Sequence, residues 1–175
     1  MKRIVICPGM HSPALTQSFI REIGEDKLKD YLIFPDAEFF AYSSYHIWQW
    51  LKTDRGIAEN SPPLLFITFS AGVAGGIGAA LAWHYQGGEI TKFIAIDGWG
   101  VPLVADFPIY RFSHDCFTHW SSAILGTGDE SFYCEPSVTH LDLWQFPQSS
   151  RGWRTIRSGD KTSCSAAKYI RRLLT

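Results

Sequence analysis

The sequence predicts one α/β domain over residues 1–175, a three-layer αβα and doubly wound arrangement with a mostly parallel sheet of about six strands. Three observations favour this class. Short apolar runs alternate with helix-forming stretches over the first hundred residues. The runs are almost continuously apolar, as parallel strands covered on both faces are. The 175 residues are 46% hydrophobic and 19% charged, which is typical of a single globular domain.

The first four predicted elements form two strand–helix units. Residues 3–7, RIVIC, are apolar and β-branched and stop at a Pro-Gly pair, which predicts a buried strand. Residues 12–24 open with Ser-Pro and carry apolar residues at helical spacing, which predicts a helix. Residues 31–34, YLIF, predict a second strand, and residues 43–53 predict a second helix with one apolar face.

The central part of the chain contains the third and fourth predicted strands. Residues 64–69, LLFITF, carry no charge and predict a strand buried on both faces. Residues 71–86 are rich in Ala and Gly and predict a helix, and residues 92–97 predict the next strand. Residues 98–108 are too short for a full crossover helix, so we expect a loop with one turn of helix that contacts substrate.

The last predicted elements are two strands and a helix. Residues 109–113 and 131–135 predict the fifth and sixth strands, and residues 163–174 predict an amphipathic helix. Open parallel sheets bind ligands beyond the carboxyl ends of their strands. The residues that directly follow each strand are therefore the candidates for a functional site.

The stretch TFSAG, residues 68–72, is similar to the G-x-S-x-G pattern of a nucleophile elbow. Ser70 lies between an all-apolar strand and a helix of small residues, and the N-terminus of that helix brings a positive dipole end beside it. Gly72 provides the second glycine, but Thr68 replaces the first. The alternative for Ser70 is a helix N-cap, since serine is a favoured capping residue.

These features resemble the α/β-hydrolase family in a small form without a large cap. The family order is serine, acid, histidine. The stretch PIYRFSHD at 108–115 resembles the family's strand that ends in the acid, which implies Asp115. The stretch CEPSVTHLDLW at 134–144 resembles the loop that bears the histidine, which implies His140. Asp97 also ends a strand and is the second choice for the acid.

The resemblance extends to the first strand and its turn. The stretch PGMH at 8–11 resembles the family's oxyanion loop, which implies that the N–H groups of Met10 and Ala71 are the oxyanion donors. His11 and Trp99 are candidate substrate-lining residues. The resemblance implies a carboxylesterase-type serine hydrolase that cleaves a small ester, thioester or amide through an acyl-enzyme on Ser70, with no cofactor.

Simpler alternatives remain open for several of these residues. Asp115 is also a candidate N-cap of a helix that begins near Phe117, and His140 is also a candidate surface histidine. The bulk of Thr68 leaves a further alternative, a hydrolase fold that has lost catalysis and binds a small ligand. His114 and His119 are poorer candidates for the base, because they flank the predicted acid rather than follow the next strand.

The same glycine-rich stretch also resembles the short-chain dehydrogenase fingerprint, through Gly72, Gly76 and Gly78. That resemblance implies an NAD(P) site with Asp97 on the ribose. Two strand–helix units precede the motif, however, and none of the seven tyrosines has a lysine four residues later. We therefore favour close packing of the helix against the sheet as the role of these glycines.

We expect the partner to be a small-molecule substrate, with no nucleic acid and no membrane, and the sequence does not indicate an oligomeric state. The net charge is −1, and the 16 basic residues form no stripe that predicts nucleic-acid binding. No apolar run reaches the roughly 18 residues of a membrane span, and the first apolar run is too short for a signal peptide, so we expect a cytoplasmic protein.

The six histidines show no metal-ligand spacing, so we expect no metal site. The four scattered cysteines predict buried thiols.

Overall fold

The computed structural model describes residues 2–53, 62–156 and 158–175. It contains strands that alternate with helices over most of the chain. The strands are β1 (Arg3–Cys7), β2 (Tyr31–Ile33), β3 (Leu64–Phe69), β4 (Ile90–Ile96), β5 (Ile109–Ser113), β6 (Glu130–Cys134), β7 (Arg151–Ile156) and β8 (Lys161–Ser165). The helices are α1 (Pro13–Ile23), α2 (Ser44–Thr53), α3 (Ala71–Tyr85), α4 (Cys116–Ala123), α5 (His140–Gln145) and α6 (Ala166–Leu174).

All eight strands form one sheet in the order β2-β1-β3-β4-β5-β6-β7-β8. Neighbours from β2 through β6 pair in parallel, whereas β7 pairs antiparallel with β6 and with β8. The predicted α/β class with a mostly parallel sheet is confirmed. The predicted strand number is too low by two, because the antiparallel pair at one edge was not anticipated.

Helices cover both faces of the sheet, because side chains alternate along each strand. On β1, Ile4 and Ile6 belong to the core on the side of α1, α5 and α6, and Val5 and Cys7 belong to the core on the side of α2 and α3. All six residues of β3 are buried. Its uninterrupted apolar sequence is therefore explained by its central position between two helical layers.

Local signals explain where the first helix begins and ends. The Ser12 hydroxyl caps α1 by accepting a hydrogen bond from the N–H of Ala14 at 3.4 Å. Gly24 ends the helix with a positive φ of 96°, a conformation that glycine adopts readily. The predicted bounds of 12–24 thus match α1 with its two flanking residues.

The sequence did not predict β7, β8 or the short helix α5. The predicted final helix at 163–174 starts too early, since residues up to Ser165 belong to β8 and Ser165 caps α6. The first three residues of β8 are exposed polar side chains, so no apolar run marks this edge strand. Residues 98–108 form a loop, as expected, but without the expected turn of helix.

Two further expectations concern membrane spans and thiols. In the part of the chain that the structure describes, no helix is both long and apolar enough to cross a membrane. The four cysteines are free, and three of them are buried as predicted. Cys116 is the exception: it is exposed at the start of α4, so the expectation of a buried thiol is wrong there.

Candidate active site

The site lies at the point where the strand order reverses. β1 has β2 on one side and β3 on the other, and α1 and α3, which follow β1 and β3, pack on opposite faces of the sheet, which leaves a crevice at its carboxyl edge. Residues 8–11 follow β1, and Ser70 follows β3 and immediately precedes α3. Asp97 follows β4, the other neighbour of β3. The fold therefore brings three chain segments to one edge.

Ser70 has the sharp turn geometry that an exposed nucleophile requires. Its φ of 53° and ψ of −122° lie in a region that non-glycine residues rarely adopt. Its N–H donates to the Ile96 carbonyl at 2.9 Å, which ties the turn to β4. The Ser70 side chain makes no capping hydrogen bond. Ser70 thus occupies the N-cap position of α3 without capping it through its side chain, and Oγ instead lies 3.0 Å from Nε2 of His140.

Two glycines let the backbone of the first turn approach this serine closely. A Cβ atom on Gly72 would lie 2.2 Å from the carbonyl oxygen of Cys7 and 2.4 Å from that of Pro8. A Cβ atom on Gly9 would lie 2.8 Å from Cβ of Ser70. Because neither position has space for a side chain, the turn after β1 packs directly against the nucleophile turn.

Thr68 fits where the elbow pattern has a glycine because Gly76 lies opposite it. Thr68 is fully buried, and its hydroxyl donates to the Ile94 carbonyl at 2.9 Å. A Cβ atom on Gly76 would lie 2.7 Å from Cγ2 of Thr68. A Cβ atom on Gly78 would lie 2.1 Å from Oγ of Ser44. These glycines lie inside α3 against protein atoms, which supports the packing role over a cofactor loop.

His140 is the first residue of α5, and a stack of aromatic rings holds its imidazole. The Thr139 hydroxyl caps α5 by accepting from the N–H of Asp142 at 3.1 Å. The His140 ring stacks on Phe69 with centroids 4.6 Å apart, and Phe69 stacks on Trp144 at 5.0 Å. Trp144 is fully buried, so the stack connects the imidazole to the core.

The carboxylate that contacts the imidazole belongs to Asp97. Nδ1 of His140 lies 2.9 Å from Oδ2 of Asp97, whose side chain is 1% exposed. The prediction of Asp115 as the acid is wrong, because Oδ1 of Asp115 instead accepts the N–H of Thr118 and caps α4. The strand order explains the difference: β4 adjoins β3, whereas β5 lies one strand farther from Ser70.

His114 is a second histidine on the same carboxylate. The backbone N–H of His114 donates to Oδ1 of Asp97 at 2.9 Å. The ring nitrogen Nδ1 of His114 lies 2.9 Å from Oδ2 of Asp97. Its Nε2 lies 3.3 Å from Oδ2 of Asp115. The hydrogen bond to Asp97 and the two negative charges outweigh partial burial and raise the pKa of His114 above its usual value. His114 was the poorer candidate for the base, but its position directly after β5 is a local signal that it belongs to the site.

Of the two predicted oxyanion donors, Ala71 directly follows Ser70, and Met10 lies in the turn that follows β1. Ala71 is the first residue of α3, so its N–H has no acceptor within the helix. The N–H of Met10 donates to no acceptor among the described residues, and the Met10 side chain is 73% exposed. The assignment of both as oxyanion donors stays a prediction.

A cavity of about 310 Å³ opens over the serine. The indole of Trp99 forms part of its wall, and its Nε1 donates to Oγ of Ser121 at 3.0 Å. His11 does not line it: its Nδ1 lies 2.9 Å from the Ser12 carbonyl, and its ring contacts Phe69 and Trp144. The lining residues are Ser70, Ala71, Ala74, Asp97, Trp99, Val101, His114, Thr118 and His140.

A second serine–histidine pair lines a larger cavity of about 460 Å³ beside α4. Oγ of Ser131 lies 2.8 Å from Nε2 of His119 and 2.6 Å from the Thr155 hydroxyl. No carboxylate among the described residues contacts His119, and burial lowers the pKa of its imidazole. This pair therefore lacks the acid that orients a catalytic base.

Asp97, His114 and His140 are also the described residues whose donor atoms lie close enough to share a metal ion, within 4.8 Å of one another. Both Nδ1 atoms lie at hydrogen-bond distance from Oδ2, and the remaining nitrogen of His140 faces Ser70. We therefore assign these atoms to a hydrogen-bonded chain rather than to a metal centre.

Comparison with known proteins adds no family assignment. No protein-family model matches the chain, and no curated protein matches it significantly.

Proposed function

We propose that the protein is a serine hydrolase that cleaves a small ester, thioester or amide through an acyl-enzyme on Ser70. The observation that carries the proposal is the continuous chain of contacts from Oγ of Ser70 to Nε2 of His140 at 3.0 Å and from Nδ1 of His140 to Asp97 at 2.9 Å. A nucleophile, a base and an orienting acid in this order are what acyl transfer requires.

The contacts assign a role to each group in the acylation step. Because Nδ1 of His140 donates to Asp97, the lone pair of Nε2 is available for the proton of Ser70. As Oγ forms a bond to the substrate carbonyl carbon, that proton moves to Nε2, and the buried carboxylate stabilises the imidazolium. The N–H groups of Met10 and Ala71 would stabilise the oxyanion, by about 3–4 kcal/mol for each donor.

The leaving group then departs with the proton held on Nε2 of His140. A water molecule gives a proton back to Nε2 as it attacks the acyl carbon, and the same donors stabilise the second oxyanion. Release of the acid product restores the Ser70 hydroxyl. Every proton transfer in the cycle goes through Nε2 of His140. The rates of acylation and deacylation therefore both depend on the orientation of this imidazole.

The cavity wall supports a small apolar or aromatic acyl group as the substrate class. Ala71, Ala74 and Val101 contribute small apolar side chains, and Trp99 contributes an exposed aromatic face. Hydrogen bonding of the indole to Ser121 fixes the orientation of that face. Aromatic faces favour planar or apolar groups over charged acyl chains.

Two observations favour an active enzyme over a ligand-binding protein on the same fold. Gly76 makes room for Thr68, so the threonine does not distort the elbow. Oγ of Ser70 lies 3.0 Å from Nε2 of His140, a nucleophile–base contact that ligand binding alone does not need. We further propose that the protein belongs to the α/β-hydrolase family. The four free cysteines support a reducing, cytoplasmic environment.

The substitution Ser70→Ala tests the proposal. We expect it to reduce the hydrolysis of p-nitrophenyl acetate at least about a thousandfold without lowering the melting temperature, because only the nucleophilic oxygen is removed. Ser149→Ala is the matched control, since that exposed serine contacts only the Phe146 carbonyl. Retention of the wild-type rate by Ser70→Ala would contradict the assignment.

A further inference from the structure

The hydrogen-bonded chain at the site does not end at Asp97. Oδ2 of Asp97 lies 2.9 Å from Nδ1 of both His140 and His114, so one carboxylate oxygen accepts from two imidazoles. The two rings are nearly perpendicular, at 80°, with centroids 6.1 Å apart. A catalytic acid normally orients one histidine, and here a second histidine shares it.

His114 is held where it gains a second proton easily. Its Nδ1 donates to Asp97, and its Nε2 lies 3.3 Å from a carboxylate oxygen of Asp115. A neutral imidazole would present a lone pair to the carboxylate of Asp115, whereas an imidazolium donates to both acids. The two negative charges therefore favour the cation, in agreement with the raised pKa of His114.

We propose that His114 is a positioning residue whose charge controls how strongly Asp97 supports His140. This inference rests on the proposed function. As a cation, His114 opposes the positive charge that forms on His140 when Ser70 loses its proton. As a neutral ring, it still donates through Nδ1 and holds the carboxylate in place, so Asp97 can stabilise the new imidazolium in full.

The surroundings of His114 contain few other charges that would mask this effect. The groups that act on its ring are Asp97 at the end of β4, Asp115 at the start of α4 and His140 at the start of α5. The thiol of Cys134 on β6 lies within the influence of both carboxylates, and burial raises its pKa to about 12. It is therefore uncharged over the range of interest.

The pH dependence of kcat/KM for p-nitrophenyl acetate gives the first test. One titrating group lowers the rate tenfold per pH unit on the acid side. Because the His114 cation lowers the rate and also opposes protonation of His140, we expect the wild-type rate to fall in two separate steps as the pH falls, and in one step in His114→Gln. His84→Gln is the control, since His84 lies in the last turn of α3, roughly 20 Å from the elbow.

A second variant separates the charge of His114 from its structural contacts. Asp115→Asn keeps the cap on α4, because an asparagine side chain also accepts the N–H of Thr118. It removes the negative charge beside Nε2 of His114. We expect the upper step of the profile, which belongs to His114, to move to lower pH, whereas a purely structural role predicts no movement.

Histidine NMR titration makes the test independent of turnover. The ring protons of His140 should report two steps in the wild type and one in His114→Gln, and the step due to His114 should move to lower pH in Asp115→Asn. A single step for His140, unchanged in both variants, would overturn the inference. Absence of esterase activity together with two steps would contradict the proposed function alone.

Discussion

Two strained residues mark the site at the level of single amino acids. Ser70 and Asp97 both have positive φ, at 53° and 52°, and each directly follows a strand of the central sheet. Such strain persists only where the surrounding structure enforces it. Here the hydrogen bond from the Ser70 N–H to the Ile96 carbonyl connects the two turns, so each turn fixes the other.

Substitution of Asp97 and of Asp115 distinguishes which of the two aspartates orients His140. Asp97→Asn should lower kcat by about 10²–10⁴, because an amide cannot stabilise the imidazolium of His140 and disturbs its tautomer. Asp115→Asn should lower kcat by less than about tenfold at pH 8. Steady-state kinetics of both variants decide the matter. A larger loss for Asp115→Asn would show that the acid is misassigned.

Sequence reasoning reached Ser70 and His140 because each has a local signal. The serine lies between an apolar strand and a small-residue helix, and the histidine follows the sixth strand. Asp97 and Asp115 both follow strands, so local pattern did not separate them. Their distances from Ser70 depend on the order of strands in the sheet, which a single sequence does not encode locally. The contact of His114 with Asp97 depends on the same strand order.

At the scale of elements, the packing of α3 against β3 explains the unusual elbow. Thr68 points into the space above Gly76, where any side chain on the helix would collide with its methyl group. The helix approaches the sheet closely enough only because that position has no Cβ. The side-chain size allowed at position 76 of α3 therefore depends on the side chain at position 68 of β3.

This coupling is measurable by a double-mutant cycle. Gly76→Ala should lower the free energy of unfolding by about 1–3 kcal/mol, since the new Cβ would lie 2.7 Å from Cγ2 of Thr68. Thr68→Ser removes that methyl group and keeps a hydroxyl for the Ile94 carbonyl. In the Thr68→Ser background the loss from Gly76→Ala should therefore be smaller. Denaturant unfolding that finds additive effects would contradict the contact.

The edge strand β8 lacks the sequence signal that marks the central strands. Central strands are buried on both faces and carry apolar runs, so β1, β3, β4 and β5 were predicted within two residues. At the sheet edge, β8 begins with exposed Lys161 and Thr162, and hydrophobicity does not mark it. Polar edge strands are recognisable only through their pairing, which is a tertiary property.

At the scale of the whole molecule, Glu130 ties the antiparallel edge of the sheet to the last helix. Its carboxylate accepts two hydrogen bonds from Arg154 of β7, at 2.7 and 2.8 Å, and one from the Tyr169 hydroxyl of α6, at 2.6 Å. Arg172 lies 3.3 Å away. The hydrogen bonds to Arg154 are the main cause that lowers the pKa of Glu130 to about 2.

The depressed pKa of Glu130 predicts how stability depends on pH. A carboxylate with a lower pKa in the folded state than in the unfolded state stabilises the fold above the unfolded value, and that contribution is lost as the pH falls through the folded value. Glu130→Gln should therefore be less stable than the wild type at pH 6. The difference should shrink as the pH falls from about 4.5 to about 2. Thermal unfolding measured at each pH tests this role. A stability difference between Glu130→Gln and the wild type that does not change with pH would contradict it.

An activated serine reacts covalently with fluorophosphonates, so labelling tests the claim that Ser70 is a nucleophile. After incubation with a fluorophosphonate, intact-protein and peptide mass spectrometry should find one adduct per chain on Ser70. The Ser70→Ala variant should remain unlabelled, and Asp97→Asn should react more slowly. Labelling of Ser70→Ala to the wild-type extent, or an unmodified wild-type serine at saturating probe, would contradict the claim.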